Sequence, residues 1–157
     1  MILARPALTA LVVTTLVACS QSPKDPCSLL RDANASIGQP VTASRNSQPG
    51  RSSACAWKSA DGRLCGGVTV LGSGWNEVPD VAASYKQLTA SMTAFGPLND
   101  VPDVGDEAQS VDTGSSGVML VFRQGDKVAV TVSACNGHSL SNNDFTKKLG
   151  RELAAQL

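Results

Sequence analysis

Five cysteines, a single histidine and one acidic run are the groups in this 157-residue chain whose chemistry and spacing could matter. A cysteine or serine nucleophile needs a base held by a third group. His138 is the only histidine; Ser139 follows it, and no carboxylate stands at a recognisable partner spacing. There is no G-x-S-x-G elbow, so no catalytic residues are assigned and no enzyme is expected. A metal centre finds no better footing, because C-x-x-C spacing is absent and one histidine cannot complete a zinc set. The segment Val101–Ala108 is irregular and acidic, with Asp103, Asp106 and Glu107, yet lacks the D-x-[DN]-x-[DN]-G order of a calcium loop. Gly72-Ser73-Gly74 is a G-x-G without the second half of a dinucleotide or Walker motif, and reads as a turn. No metal and no cofactor is expected.

The cysteines divide by position. Cys19 ends an apolar run, Ala7 through Val17, that follows the positive Arg5 and closes on Leu16-Val17-Ala18-Cys19. That tetrapeptide resembles the lipobox of bacterial lipoproteins, in which the cysteine is acylated and becomes the new N-terminus. About a dozen apolar residues suit a signal h-region and fall short of the roughly 20 a spanning helix needs. Residues 1–18 are therefore expected to be a lipoprotein signal peptide and Cys19 the lipidation site. Residues 19–24 form a lipidated tether and 25–157 a globular domain. Thioether-linked acyl chains anchor by burying methylenes, and two or more chains make attachment durable. The expected location is the cell envelope, with the domain facing away from the cytoplasm. Six tether residues reach only about 20 Å.

Cys27, Cys55, Cys65 and Cys135 remain, an even number in an exported chain, and are expected to form two disulfides. Three connectivities exist, and strand phase narrows them. In Lys127–Cys135, Val128, Val130 and Val132 share one face, and Cys135 lies on the other with Thr131 and Ser133. Cys65 is out of phase with Val68 and Val70 and in phase with Thr69. Side chains alternate with period two, so Cys65 and Cys135 could meet on one face, leaving Cys27 for Cys55. A bulge at Gly66-Gly67 would shift that phase.

Composition bounds the rest. Removal of residues 1–18 leaves 139 of 157, enough for one domain with a real core. Acidic and basic residues number 13 each before Arg5 is lost. The longest basic run is Lys147-Lys148, so no nucleic-acid partner is expected. Aromatic content of 4 % disfavours a stacking platform. The one candidate binding residue is Trp75, an aromatic on a Gly-Ser-Gly loop. Its structural alternative is a lid over the sheet edge.

The elements that must position these groups can be read from local signals. Asp25-Pro26 opens a helix with Cys27, Leu30, Ala33 and Ile37 on one face, closed by Gly38 and Pro40. Asn34-Ala35-Ser36 matches a glycosylation sequon by coincidence. A weak strand lies within 41–52, and strands follow at 54–59 and 64–71 across the turn Asp61-Gly62. A second helix runs from Pro79 or Asp80 to Phe95 with an apolar stripe of Val81, Tyr85, Leu88, Met92 and Phe95. Strands return at 107–112, 117–123 and 127–135. Pairing the Leu120/Phe122 face with the valine face of the last strand calls for an odd-length turn at Gln124-Gly125-Asp126. A last helix starts near Asn143 and buries Phe145, Leu149 and Leu153 despite Gly150. The order gives an α+β domain: a single mainly antiparallel sheet of about five to six strands packed with three helices and stapled by two disulfides.

Three markers occur in this order: Asp25-Pro26-Cys27-Ser28-Leu29-Leu30, then Cys55-x-Trp57, then Val101-Pro102-Asp103-Val104-Gly105-Asp106-Glu107-Ala108. Together they resemble a family of small exported bacterial lipoproteins known as domain of unknown function 3558, over most of residues 25–157. The resemblance implies a Cys27–Cys55 bridge and carries over no catalytic residues. This chain departs from the pattern in a shorter first helix without the T-x-x-E start, and in the added pair Cys65 and Cys135. The function expected is non-catalytic binding at the membrane, with another envelope protein as partner. Alternatives are an inhibitor or immunity protein against a cell-wall hydrolase or toxin, and a carrier of a small apolar ligand.

Overall fold

The computed structural model describes residues 24–46, 54–135 and 143–157. They form one sheet of seven strands: β1 Thr42–Asn46, β2 Ala54–Lys58, β3 Leu64–Gly72, β4 Asn99–Asp100, β5 Glu107–Asp112, β6 Val118–Gln124 and β7 Lys127–Ser133. Their order across the sheet is β1-β2-β3-β7-β6-β5-β4, antiparallel throughout. The three α-helices are α1 Ala33–Ile37, α2 Val81–Met92 and α3 Asn143–Ala154. The α+β architecture and both disulfides are as expected; the strand count is higher, because the two-residue β4 is too short to leave a sequence pattern.

Each sheet face has its own cover. On one, Trp57, Val68, Val70, Leu120, Phe122 and Ala129 pack beneath Leu29, Leu30, Ile37, Leu149 and Leu153. On the other, Val111, Val121 and Val128 lie beneath Tyr85 and Met92 of α2. Burying one such side chain contributes about 1.5–3 kcal/mol. α2 carries the chain from β3 across this second face to the far edge at β4, and the meander β4–β7 returns to pair with β3.

Local chemistry explains where the helices begin and end. The first helical segment splits: a 3₁₀ turn covers Pro26–Leu29 and α1 starts afresh at Ala33. Each piece has its own aspartate cap, Asp25 accepting from the Cys27 N–H (2.9 Å) and Asp32 from the Ala35 N–H (3.0 Å). The single helix expected there is thus corrected; a second good cap at Asp32 restarts the backbone. Asn34 has a structural use, its side chain accepting from the Val41 N–H at 2.8 Å. Asp80 caps α2 through the Ala83 N–H at 2.9 Å. That helix stops at Met92, and Phe95, expected on the buried stripe, swings out to 58 % exposure on the following turn.

Gly150 is required by packing. A Cβ there would stand 2.6 Å from Leu120 Cδ2 and 3.0 Å from Val104 Cγ1, so the bare backbone lets α3 settle on β6. Three buried hydroxyls on this face are paired: Thr131 donates to the Gly67 carbonyl (2.7 Å), and Ser133 and Thr146 share a bond of 2.9 Å.

Two phase expectations are corrected. Leu120 pairs with Thr131 and Phe122 with Ala129, so the Leu120/Phe122 face joins the non-valine side of β7. Residues opposite one another share a face, so Val128 and Val130 lie with Arg123 and Val121, beneath α2. Gln124 pairs with Lys127, and the turn is the two-residue Gly125-Asp126. With α2 covering the second face, the valines need not meet Leu120. The other correction concerns Cys65. Trp57 pairs with Gly66 and Lys58 with Leu64, which leaves Cys65 as the extra residue of a bulge. It turns into the Trp57/Val68 core instead of sharing the Thr69 face, and there meets Cys135 beyond Ser133.

Candidate functional site

The acidic stretch builds a recess beside the sheet. Its floor is set by Val104, fully buried against Gly150 of α3. Burying Val104 forces the chain through two left-handed residues, Asp103 (φ 64°) and Gly105 (φ 59°). Gly105 is obligatory in a second sense: a Cβ would lie 2.3 Å from the Arg123 carbonyl oxygen. The loop is tied at both ends, by Val101 N–H to Ala108 O (3.0 Å) and Asp106 N–H to Arg123 O (2.8 Å).

Between this loop and the flank of α2 lies a cleft of about 470 Å³, lined by Tyr85, Asp100 to Ala108 and Gln109. Its charges are mostly matched. Asp103 meets Arg151 at 3.0 Å and Lys147 at 3.6 Å. Arg123 bridges Glu107 at 2.5 Å and Asp106 at 3.5 Å, and the hydrogen bond to Glu107 raises its already high pKa. Asp106 also accepts from the Gly125 N–H at 2.8 Å. Asp100 accepts only from Gln109 Nε2, at 3.1 Å, among the described residues. Tyr85 is 7 % exposed as a residue, and its hydroxyl, which has no hydrogen-bond partner among the described residues, is not one of the buried polar atoms and reaches solvent. Burial, then the negative charges of Glu107 and Asp100, push the phenol up to about 12.

The residues singled out from the sequence fall as follows. Cys19, the signal segment 1–18 and His138 lie outside the described residues. Cys27 bonds Cys55 and Cys65 bonds Cys135, with Cα separations of 5.0 and 4.1 Å. Gln39 Nε2 sits 2.9 Å from the Cys65 sulfur and 2.8 Å from that of Cys135. Trp75 is 8 % exposed and packs in the core; Lys24 Nζ stands 5.8 Å from its ring centroid. The indole Nε1 has no hydrogen-bond partner among the described residues. This placement is that of a lid over the end of β3, and the structure does not bring Trp75 to the acidic cleft. Tyr85 was legible in the sequence only as one member of an apolar stripe. The clue was a lone hydroxyl among Val81, Leu88 and Met92.

No group of three or more His, Cys, Asp or Glu side chains among the described residues is arranged to hold a metal ion. Among them, too, no helix is long and apolar enough to cross a membrane. Two disulfides belong to an oxidising compartment outside the cytoplasm. No family model, curated protein or solved structure matches this chain.

Proposed function

We propose that this chain is an exported lipoprotein, acylated at Cys19, that works by binding another envelope protein and catalyses no reaction. The observation that carries the binding reading is the filled layer beneath α2, where Tyr85, Met92, Val111, Val121 and Val128 leave their apolar surface to one another. A carrier of an apolar ligand needs an enclosed, mostly apolar cavity, whereas the cleft beside α2 is open to solvent and carries four carboxylates in its lining. The export reading draws on the paired cysteines and on the apolar run that ends at Cys19. The resemblance to the unknown-function lipoprotein family, carried by its three motifs, agrees with both. In this reading Lys24, whose Nζ stands 5.8 Å from the Trp75 ring centroid, is the last residue of the tether. A domain held there by about 20 Å of chain samples partners at the membrane surface.

In-cell crosslinking in the producing organism, followed by identification of the captured protein, tests the partner. Mass spectrometry of the mature N-terminus tests the anchor: residues 1–18 should be gone and Cys19 acylated, and Cys19→Ser should release a folded domain. A soluble protein with intact, unmodified Cys19 refutes the anchor. A purified domain carrying a stoichiometric apolar molecule refutes the partner reading in favour of a carrier.

A further inference from the structure

α2 covers only part of the sheet's second face. It rests on β6 and β7, while the 3₁₀ turn, α1 and α3 pack on the first face. Beyond α2, Ala56, Gly67 and Val132 stand in one row, Ala54 and Thr69 in the next, and Leu71 follows. All six are half-buried. An antiparallel sheet that faces water on one side turns polar residues outward, yet of these six only Thr69 is polar. Leu64 lies on the same face, opposite Lys58, and is 41 % exposed. Phe95, on the turn that ends α2, is 58 % exposed.

The shape of this bare half selects what can cover it. α2 stands beside it, about 10 Å proud of the sheet, so a flat surface such as a bilayer is held off and an object one helix wide fits. Tyr85, on one flank of α2, lines the cleft with the 100–109 loop, so Ser84, Leu88 and Ser91 on the opposite flank look towards the bare half. That wall offers no free hydroxyl: Ser84 donates to the Asp80 carbonyl (2.8 Å) and Ser91 to the Leu88 carbonyl (2.7 Å). We propose that the occupant is a second copy of this chain, the α2 of each copy lying on the bare half-sheet of the other.

α2 runs along the strands, from Tyr85 beside Glu107 to Gly96 over Val111, which shares a row with Met119, Val132 and Gly67. A two-fold axis parallel to the strands, in the helix layer between α2 and the bare half, therefore fills both seats at once. The layers become sheet, two helices side by side, sheet. The outward side of α2 suits the seat, with exposed Ala83 and Ala90 at its centre and Lys86 and Gln87 beside them, long enough to run out to solvent. Area favours a second copy over a lone partner helix. α2 has 12 residues, about 18 Å, and one seat removes roughly 500 Å² counting both surfaces, half of what a specific interface needs; two seats reach about 1,000 Å². The same axis brings Phe95 to the end of the layer where the partner's Leu64 lies. It also keeps Lys24 of both copies at one end, as two chains tethered in one membrane require. The contact joins copies of this chain, so its test stands apart from that of the envelope partner.

The signal-free protein with both disulfides intact is followed by sedimentation velocity over a wide concentration range. A reversible monomer–dimer equilibrium is expected, with a midpoint of about 100 µM or tighter and no larger species. Ala90→Glu on α2 and Thr69→Glu on the bare half-sheet each put a charge into the seat. Each should keep the circular dichroism of the fold and weaken the dimer at least about tenfold. Phe95→Ser, at an exposed position, should weaken it as well. Ala35→Glu, exposed on α1 over the first face, should change nothing. A mixture of ¹⁵N-labelled and unlabelled protein treated with a lysine crosslinker should yield Lys58–Lys86 links that join a labelled peptide to an unlabelled one. A monomer at every concentration, a dimer undiminished by Ala90→Glu, one weakened as much by Ala35→Glu, or a dimer without mixed Lys58–Lys86 links overturns the proposal.

Discussion

Replacing Gly105 by alanine separates two penalties that usually arrive together. At φ 59° any L-residue is strained, by about 1–2 kcal/mol. In addition the new Cβ would stand 2.3 Å from the Arg123 carbonyl oxygen, a backbone atom of β6 that cannot rotate away. Relief requires lifting the loop off β6, which lengthens the Asp106 N–H to Arg123 O bond of 2.8 Å and loosens the packing of Val104. Overpacking of this kind costs about 1–3 kcal/mol, for a total of roughly 2–5 kcal/mol. Gly125 supplies the control. Its φ is 58°, almost the same, but a Cβ there has nothing within 4 Å. Gly125→Ala should therefore cost only the conformational part, about 1–2 kcal/mol. Urea unfolding of both variants with disulfides intact gives the comparison directly, provided the m-value is unchanged. If Gly105→Ala is no less stable than Gly125→Ala, the close approach of the acidic loop to β6 is wrong, and with it the rigid cleft.

Three further outcomes are expected. Peptide mapping without reduction should recover Cys27–Cys55 and Cys65–Cys135. Removing the second pair should destabilise more, about 4.5 against about 3.5 kcal/mol for loops of 70 and 28 residues; the reverse order would show that chain entropy does not dominate. Asp80→Ala should cost about 1 kcal/mol by uncapping α2, and hydrogen exchange should show the loss concentrated in the first turn of that helix. Tyr85 should ionise in the folded protein near 12, against the ordinary 10 in denaturant. Because the folded value is raised, the protein keeps this stabilisation below pH 10 and loses it as pH climbs from 10 through 12, where only the unfolded chain becomes tyrosinate. A folded-state absorbance titration with its midpoint at 10 would refute the burial and the negative surroundings inferred for the phenol.

Much of the architecture was legible because period-two runs and caps are local signals. Val118–Phe122, apolar on both faces, marks a strand covered on both sides, and β6 is one. Asp80 and Asn143 mark helix starts within a residue. The misses have a common physical origin in pairing between distant strands. The faces of Leu120 and the valines cannot be matched from sequence without knowing that α2 covers the second face. The bulge that turns Cys65 inward is a property of its register with β2. The disulfide pairing came out as expected even though Cys65 reached its partner on the opposite face, because Cys135 was placed correctly with Thr131 and Ser133. At the cleft, the crowded carboxylates were visible early, but Tyr85 joins them only through the crossing of α2 over the sheet.

The positions of the two disulfides also decide how the molecule bears a pull. The cross-links close separate rings, 27–55 and 65–135, one after the other along the chain. Tension entering at Lys24 passes through the sulfur–sulfur bond of Cys27 into β2, so α1 and β1 carry none of it. On the far side of β2, the link from Cys65 to Cys135 shunts the load past α2 and the whole meander. Under oxidising conditions those rings withhold roughly 330 Å of chain that would otherwise pay out at about 3.4 Å per residue. Only the Ala56–Leu64 segment and the chain beyond Cys135, α3 included, can lengthen. Stretched from its two ends, the oxidised domain is a short-stroke link whose last helix gives way first, while most of the sheet stays strapped together.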